Sequence, residues 1–428
     1  MSKKVLIITY YWPPAGGPGV QRWLKFVKYL PSFGVEPIIY TPENPTYPII
    51  DNNLLTEELK NVTIIKKPIQ EPYKLAHLFS KDKTKSMSRG IITSKKKQTL
   101  SEKLLLYVRG NIFIPDARIL WVKPSVDFLE NYLKENKIDT VITTGPPHSM
   151  HLIGLKLKEK FQIKWIADFR DPWTKIVYHK ELKLSAMAQK KHLELEKKVL
   201  KTATQIIVTS PSTKEDFSKI TSKPIEVITN GYDSEEIAPF IIDTKFSIAH
   251  IGSLLSERNP RVLWKAIAEL VKEYPKFKHD LELKLIGTVS EEIISTLEEF
   301  KLSKFVKISG YIPHDQCIVE QHKSQVLLLI ESDSEETKTI LPGKLYEYMA
   351  SGRPILAIAN EQSDIKRIIR LTNTGIFCDY SEKEKIKDTL IDFYQQYKNN
   401  NLESAPIGLQ YFSRKNLTKR LADIILKK

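Results

Sequence analysis

Short, wholly apolar runs alternate with long amphipathic stretches along this chain, and that alternation limits the fold more than any single motif. Val5-Leu6-Ile7-Ile8-Thr9, Glu36-Pro37-Ile38-Ile39-Tyr40, Thr140-Val141-Ile142-Thr143, Lys164-Trp165-Ile166-Ala167 and Gln205-Ile206-Ile207-Val208 are too short for helices and too continuously apolar for one-sided strands. Strands of that kind belong to parallel sheets covered by helices on both faces. A second series begins near Phe246: Ser247–Ile251, Glu282–Ile286, Val306–Ile308, Val326–Ile330 and Pro354–Ala357. Between the two lie Thr229-Asn230-Gly231-Tyr232-Asp233 and Ala238-Pro239, which read as a linker. At 428 residues the chain exceeds the usual size of one domain. The reading is therefore an α/β protein with a first domain over 1–235, a second over 236–410, and a terminal helix over 411–428. That helix carries Leu417, Leu421, Ile424 and Ile425 on one face.

Composition narrows the function. Two cysteines, Cys317 and Cys378, make no disulfide framework and sit in no metal-ligand spacing, which fits a reducing, cytoplasmic setting. Lys3 and Lys4 precede an apolar run too short for a signal peptide, and nothing approaches the ~20 apolar residues of a membrane span. The net charge of +15 leaves three partners open: nucleic acid, an anionic membrane surface or an anionic substrate. Its densest source is Lys81–Lys103, inside a basic insertion at about 72–121, with apolar residues on either side. That setting suits anionic lipid headgroups, or else a solvated loop. No aromatic-interleaved basic motif accompanies it, so nucleic acid is not expected.

Four segments could carry chemistry. In LPGKLYEYMASGRPILA (Leu341–Ala357) a helix opens after Pro342 and Gly343, runs to Ser351-Gly352 and is followed by a buried strand. A helix start offers free N–H groups and a favourable dipole to a phosphate, with Leu341 and Gly343 supplying backbone and Lys344 a charge. Glu347, one turn inside, can accept two ribose hydroxyls; alternatively it is a solvated residue on an ordinary α/β helix. The loop Pro13–Gly19 follows the first strand, and Gly16 and Gly17 either cradle a phosphate or make a tight turn. In Ile251–Pro260 a strand ends at Gly252, and Arg258 waits to neutralise a leaving group or to pair with Glu257. The strand ends at Thr143–Ser149 and Asp168–Trp173 bring His148, Asp168 and Asp171, which either contact sugar and acceptor or cap helices and pair with Arg170. There is no Asp-x-Asp triplet and no His/Cys cluster, so neither a metal nor another cofactor is expected.

The Leu341–Ala357 segment resembles the nucleotide-sugar binding element of GT-B glycosyltransferases of the retaining family 4 type, and the resemblance runs nearly end to end. Asn230-Gly231 stands where that family has its linker turn. The resemblance implies two Rossmann-like domains facing across a cleft, with the terminal helix crossing back to the first. It implies transfer of a sugar from a nucleoside-diphosphate donor to a glycan or lipid-linked acceptor in cell-surface polysaccharide assembly, without a metal. Glu347 would bind ribose, and Arg258, Lys344, Leu341, Gly343 and Gly252 would hold the diphosphate. Gly16 and Gly17 would line the donor side, and His148, Asp168 and Asp171 would meet sugar or acceptor. Many relatives carry a second glutamate eight positions before the first, where this chain has Thr339; others have a histidine where it has the run Asp168–Asp171. Two alternatives stay open: a nucleotide-sugar epimerase of the same plan, and a sugar-nucleotide or lipid binding protein without catalysis.

Overall fold

The computed structural model describes residues 2–54, 61–71, 100–175, 182–233 and 238–427. The basic run Lys81–Lys103 lies outside the described residues up to position 99, and the side chains of 100–105 are likewise not described. The chain forms two compact units, Met1–Thr229 with Arg414–Lys428, and Asn230–Ser413.

The first unit is built on a seven-stranded parallel sheet. Its strands are β1 (Lys3–Ile8), β2 (Val35–Pro42), β3 (Thr63–Lys67), β4 (Thr140–Gly145), β5 (Lys164–Phe169), β6 (Gln205–Val208) and β7 (Ile225–Val227), in the order β3-β2-β1-β4-β5-β6-β7. The apolar runs become strands because both faces are covered. Along β1, Leu6 and Ile8 enter one core layer while Val5 and Ile7 enter the other, all fully buried. The second layer is completed by the helix Arg414–Leu426, whose Leu417, Leu421, Ala422 and Ile425 pack with Trp23 and Val27 of the helix Pro18–Tyr29. Lys164 fixes the end of that helix by donating to the Ile424 carbonyl at 2.6 Å.

In the second unit the strands are β8 (Phe246–Ile251), β9 (Leu281–Ile286), β10 (Val306–Ser309), β11 (Val326–Ile330), β12 (Ile355–Ile358) and β13 (Gly375–Cys378). They form a parallel sheet in the order β10-β9-β8-β11-β12-β13. Here too the core is split by the sheet, with Ile248 and Leu328 on one side and Ala249, Leu327 and Leu329 on the other. Within this unit its first and last segments run side by side, Tyr232 donating its N–H to the Phe412 carbonyl at 3.2 Å.

Both sheets have the doubly wound order of a Rossmann fold, so the direction of winding reverses between β1 and β4 in one and between β8 and β11 in the other. Crossover loops diverge there and leave a crevice beyond the carboxyl ends of the strands, which is where ligands bind in such sheets. The residues that follow β1, β4, β8 and β11 are therefore the ones to inspect. Among the described residues no helix is long and apolar enough to cross a membrane.

Candidate functional site

At the second unit's switch point, β8 ends at Ile251 and the chain turns through Gly252 at φ 118°. Gly252 donates to the Ile286 carbonyl at 2.7 Å, and Gly287 lies against it at φ 119°. A Cβ on Gly287 would stand 2.7 Å from the Gly252 carbonyl oxygen, so this close backbone approach needs glycine. The helix Gly343–Ala350 comes in above and grips the end of β8 with two side chains one turn apart. Tyr348 accepts from the Ile251 N–H at 2.9 Å and donates back to its carbonyl at 3.3 Å. Lys344 donates to that carbonyl at 3.0 Å and lies 3.2 Å from His250 Nε2.

His250 is fully buried, and its Nδ1 lies 3.0 Å from the Leu328 carbonyl. A carbonyl only accepts, so Nδ1 carries the proton and Nε2 is left as an acceptor for the lysine. Burial first, and then the Lys344 charge, hold this imidazole well below its ordinary pKa, which keeps it neutral. The same physics acts on the lysine: burial, aided by the nearby Arg258 charge, lowers Lys344 to about 7 against the pull of Glu331 and Glu347. Arg258 follows β8 on the turn Ser256–Arg258, and its Nε donates at 2.8 Å to Glu331, a buried carboxylate at the end of β11. Glu331, not Glu257, thus aims the guanidinium. An arginine, a lysine that can take up a proton and a helix N-terminus, which repels cations, converge at one strand end, an arrangement complementary to an anion.

Glu347 is half-buried, accepts from Gln321 at 3.1 Å and lies 3.7 Å from His314. Its two oxygens keep lone pairs for other donors. Space is open above Gly343, and the helix N-cap, Pro342, makes no side-chain cap. Leu341 is buried, while Thr339 is buried with its hydroxyl unpartnered. The structure therefore gathers Gly252, Arg258 and Lys344 at the end of β8, with Glu347 one turn further along the same helix as Lys344. Among the described residues, one group of three carboxylates, Glu361, Asp379 and Glu382, has oxygens within 4.8 Å of one another, and Lys366 and Lys385 pair with two of them.

The first unit's switch point is arranged differently from the sequence expectation. Asp168 is fully buried and accepts from Arg22 Nη2 at 2.9 Å, Trp23 Nε1 at 2.8 Å and Thr144 Oγ1 at 2.8 Å. Burial raises its pKa, but the Arg22 charge and these hydrogen bonds outweigh that and hold the carboxyl below the usual range. Arg22 spends its other donors on the Ile228 and Thr229 carbonyls at 2.9 and 2.8 Å. Asp168 is thus a fully buried, internally bonded group that fixes the helix Pro18–Tyr29 and the end of β7. His148 is also buried, stacked 4.8 Å from Trp173 at an interplanar angle of 3°. Asp171 differs: it is half-buried with no hydrogen bond to the described residues, and burial pushes its carboxyl up despite neighbouring Arg170. The expected pairing of Arg170 with the aspartates gives way to carbonyl contacts, at 2.6 Å to Gly19 and also to Pro146. In the glycine loop, Gly16 has already given its N–H to Ile49 at 2.9 Å, and Gly17 caps the first helix at φ 95°.

His250, Glu331, Tyr348, Arg22 and Trp23 are the residues that sequence reasoning passed over. A histidine inside a wholly apolar parallel strand and an arginine on the apolar side of a helix were the available signals, because buried polar groups need partners.

Comparison with known proteins fits this geometry. Residues 90–236 match the family described as Glycosyltransferase Family 4, and residues 233–405 match Glycosyl transferases group 1. No curated protein matches in sequence. Among solved structures, the lipopolysaccharide outer core galactosyltransferase WaaB in its apo form is similar at TM-score 0.58 with 14% identity, covering 99% of both chains. A putative UDP-N-acetylglucosamine 2-epimerase from Listeria monocytogenes is similar at TM-score 0.56 with 13% identity over 99% of this chain and 96% of that one. HepE from Anabaena, in complex with UDP-glucose, is similar at TM-score 0.54 with 12% identity over 99% and 95%. At such identities the likeness is one of fold.

Proposed function

From the premise that this chain is a glycosyltransferase of the GT-B, family 4-like type, we propose that it transfers a sugar from a nucleoside-diphosphate donor held by the second unit, with retention of configuration and without a metal. The observation that carries this reading is the convergence of Arg258, Lys344 and the start of the Gly343–Ala350 helix on the end of β8. Those groups can neutralise a departing diphosphate, the charge that develops when the glycosidic bond breaks. Glu347, one turn deeper, takes the ribose hydroxyls. The unpartnered hydroxyl of Thr339 can bond the donor sugar, in place of the carboxylate that many relatives have there. In the first unit Asp171 is the group available to an acceptor hydroxyl, since Asp168 is locked. The acceptor is a glycan or lipid-linked saccharide in surface-polysaccharide assembly, approached from the cytoplasmic face, with Lys81–Lys103 supplying the contact to anionic lipid.

A thermal-shift series with UDP, GDP, ADP, CMP and dTDP, with and without divalent metal, tests the donor site. A ligand at 100 times its dissociation constant adds about 2.7 kcal/mol. One diphosphate should stabilise without metal, and Glu347→Ala should weaken it roughly 10- to 100-fold, the worth of a charged hydrogen bond. An unchanged affinity would remove the ribose assignment. Epimerised donor in the absence of acceptor would replace transfer by epimerisation.

A further inference from the structure

Lys344 is arranged so that its protonation state decides whether it can meet an anion. A neutral amine has two N–H bonds, and the structure supplies two acceptors for them, the Ile251 carbonyl at 3.0 Å and His250 Nε2 at 3.2 Å. The third N–H exists only in the ammonium form. It has Gly252 before it, where a Cβ would come within 3.0 Å of Nζ, so the absent side chain leaves that approach open. His250 suits this duty because its own proton is committed to the Leu328 carbonyl, which makes it an acceptor that does not compete for charge.

Resting on the donor-site reading above, we propose that His250 is a positioning residue for Lys344, and that binding of a diphosphate at the end of β8 draws one proton from solvent onto Lys344. The proton adds to the amine, the new N–H is given to a phosphate oxygen, and no other bond changes. Among the described residues the charged and titratable groups facing the lysine are neutral His250 on β8, cationic Arg258 on the turn beyond it, Glu331 at the end of β11, and Glu347 and Tyr348 on its own helix. Arg258 disfavours the ammonium and the two glutamates favour it, with burial deciding the balance at about 7. The free site is thus mostly uncharged at this lysine above neutrality, and an incoming anion reverses the preference.

The test is calorimetry of the whole protein with inorganic pyrophosphate and with the nucleoside diphosphates, at pH 8 in buffers of different ionisation enthalpy. A lysine with a pKa of about 7 is ~10% charged at pH 8, so uptake of roughly 0.9 proton per ligand is expected. Affinity should also fall about tenfold per pH unit above 7. Lys344→Arg, always charged, should bind without uptake and with a flat pH profile. His250→Leu should weaken binding, and His250→Gln, which restores a neutral acceptor, should recover part of it. Binding by the wild type without proton uptake overturns the inference and leaves the donor site standing. Uptake with pyrophosphate but no nucleoside diphosphate bound keeps the inference and removes the donor reading. If no diphosphate of either kind binds, both fall.

Discussion

Replacing Asp168 by asparagine separates a structural role from a chemical one. The side chain is fully buried against an Arg22 side chain that is 2% exposed. Asparagine keeps the Oδ2 position as a carbonyl oxygen for Trp23, Thr144 and Arg22 Nε, but puts an N–H₂ group at the Oδ1 position, so the 2.9 Å bond from Arg22 Nη2 and the carboxylate charge are lost. An arginine left unpaired in the interior costs about 3–5 kcal/mol. For a unit of this size each kcal/mol moves the melting temperature by about 2–4 °C, which predicts a fall of roughly 6–20 °C. Tryptophan fluorescence is the natural assay, because Trp12, Trp23, Trp121, Trp165 and Trp173 lie in the first unit and only Trp264 in the second. The folded carboxyl titrates below its unfolded value near 4, so its contribution is complete above that pH and is lost as the pH falls through the folded value. The gap between wild type and variant should therefore be constant from about pH 5 to 8 and close only in acid. Adding Arg22→Met should recover part of the loss, since the two changes share one interaction. A variant with an unchanged transition but no transfer activity would refute this reasoning and make Asp168 part of the chemistry.

Other outcomes follow from the same geometry. Tyr348→Phe leaves the Ile251 N–H without its 2.9 Å partner and should cost about 1–3 kcal/mol, read in a urea titration of the second unit. Gly287→Ala forces a Cβ to 2.7 Å from the Gly252 carbonyl oxygen at a positive φ; it should cost about 1–3 kcal/mol and weaken pyrophosphate binding together with stability. Leu421→Ala empties a fully buried site between the Arg414–Leu426 helix and the first sheet, costing about 2–5 kcal/mol there. Limited proteolysis should then release fragments of the first unit while residues 230–413 persist.

The central strands were legible in the chain because burial on both faces makes them continuously apolar. The strands missed were β3, β7 and β13, all at or next to sheet edges. Half-exposed Ile64 and Ile65 in β3 sit among threonine and lysines, and β7 and β13 have only three and four residues. Pattern loses force where one side of a strand faces water. At the donor site, Lys344, Glu347, Gly252 and Arg258 could be picked out because strand and helix ends mark ligand positions in this fold. Their partners could not, since His250 is 94 residues from Lys344 and Glu331 is 73 from Arg258, and only the crossovers bring them together. Asp168 shows the opposite difficulty: its partner was out of reach of the sequence. A polar residue at a strand end suggests chemistry, but the arginine that claims it lies 146 residues earlier on a helix whose inward face includes it.

The return of Arg414–Leu426 to the first sheet bears on the order in which the chain can fold as it is made. Domains commonly complete themselves in the order of synthesis. Here the first unit cannot close its second core layer until all of residues 230–413 have emerged, because Leu417, Leu421 and Ile425 come after them. The second unit, continuous in sequence and entered and left at the adjacent residues Tyr232 and Phe412, is free to finish first. During that interval Trp23, Val27 and their neighbours stay uncovered on the nascent chain, which makes that face the natural point of contact for a chaperone.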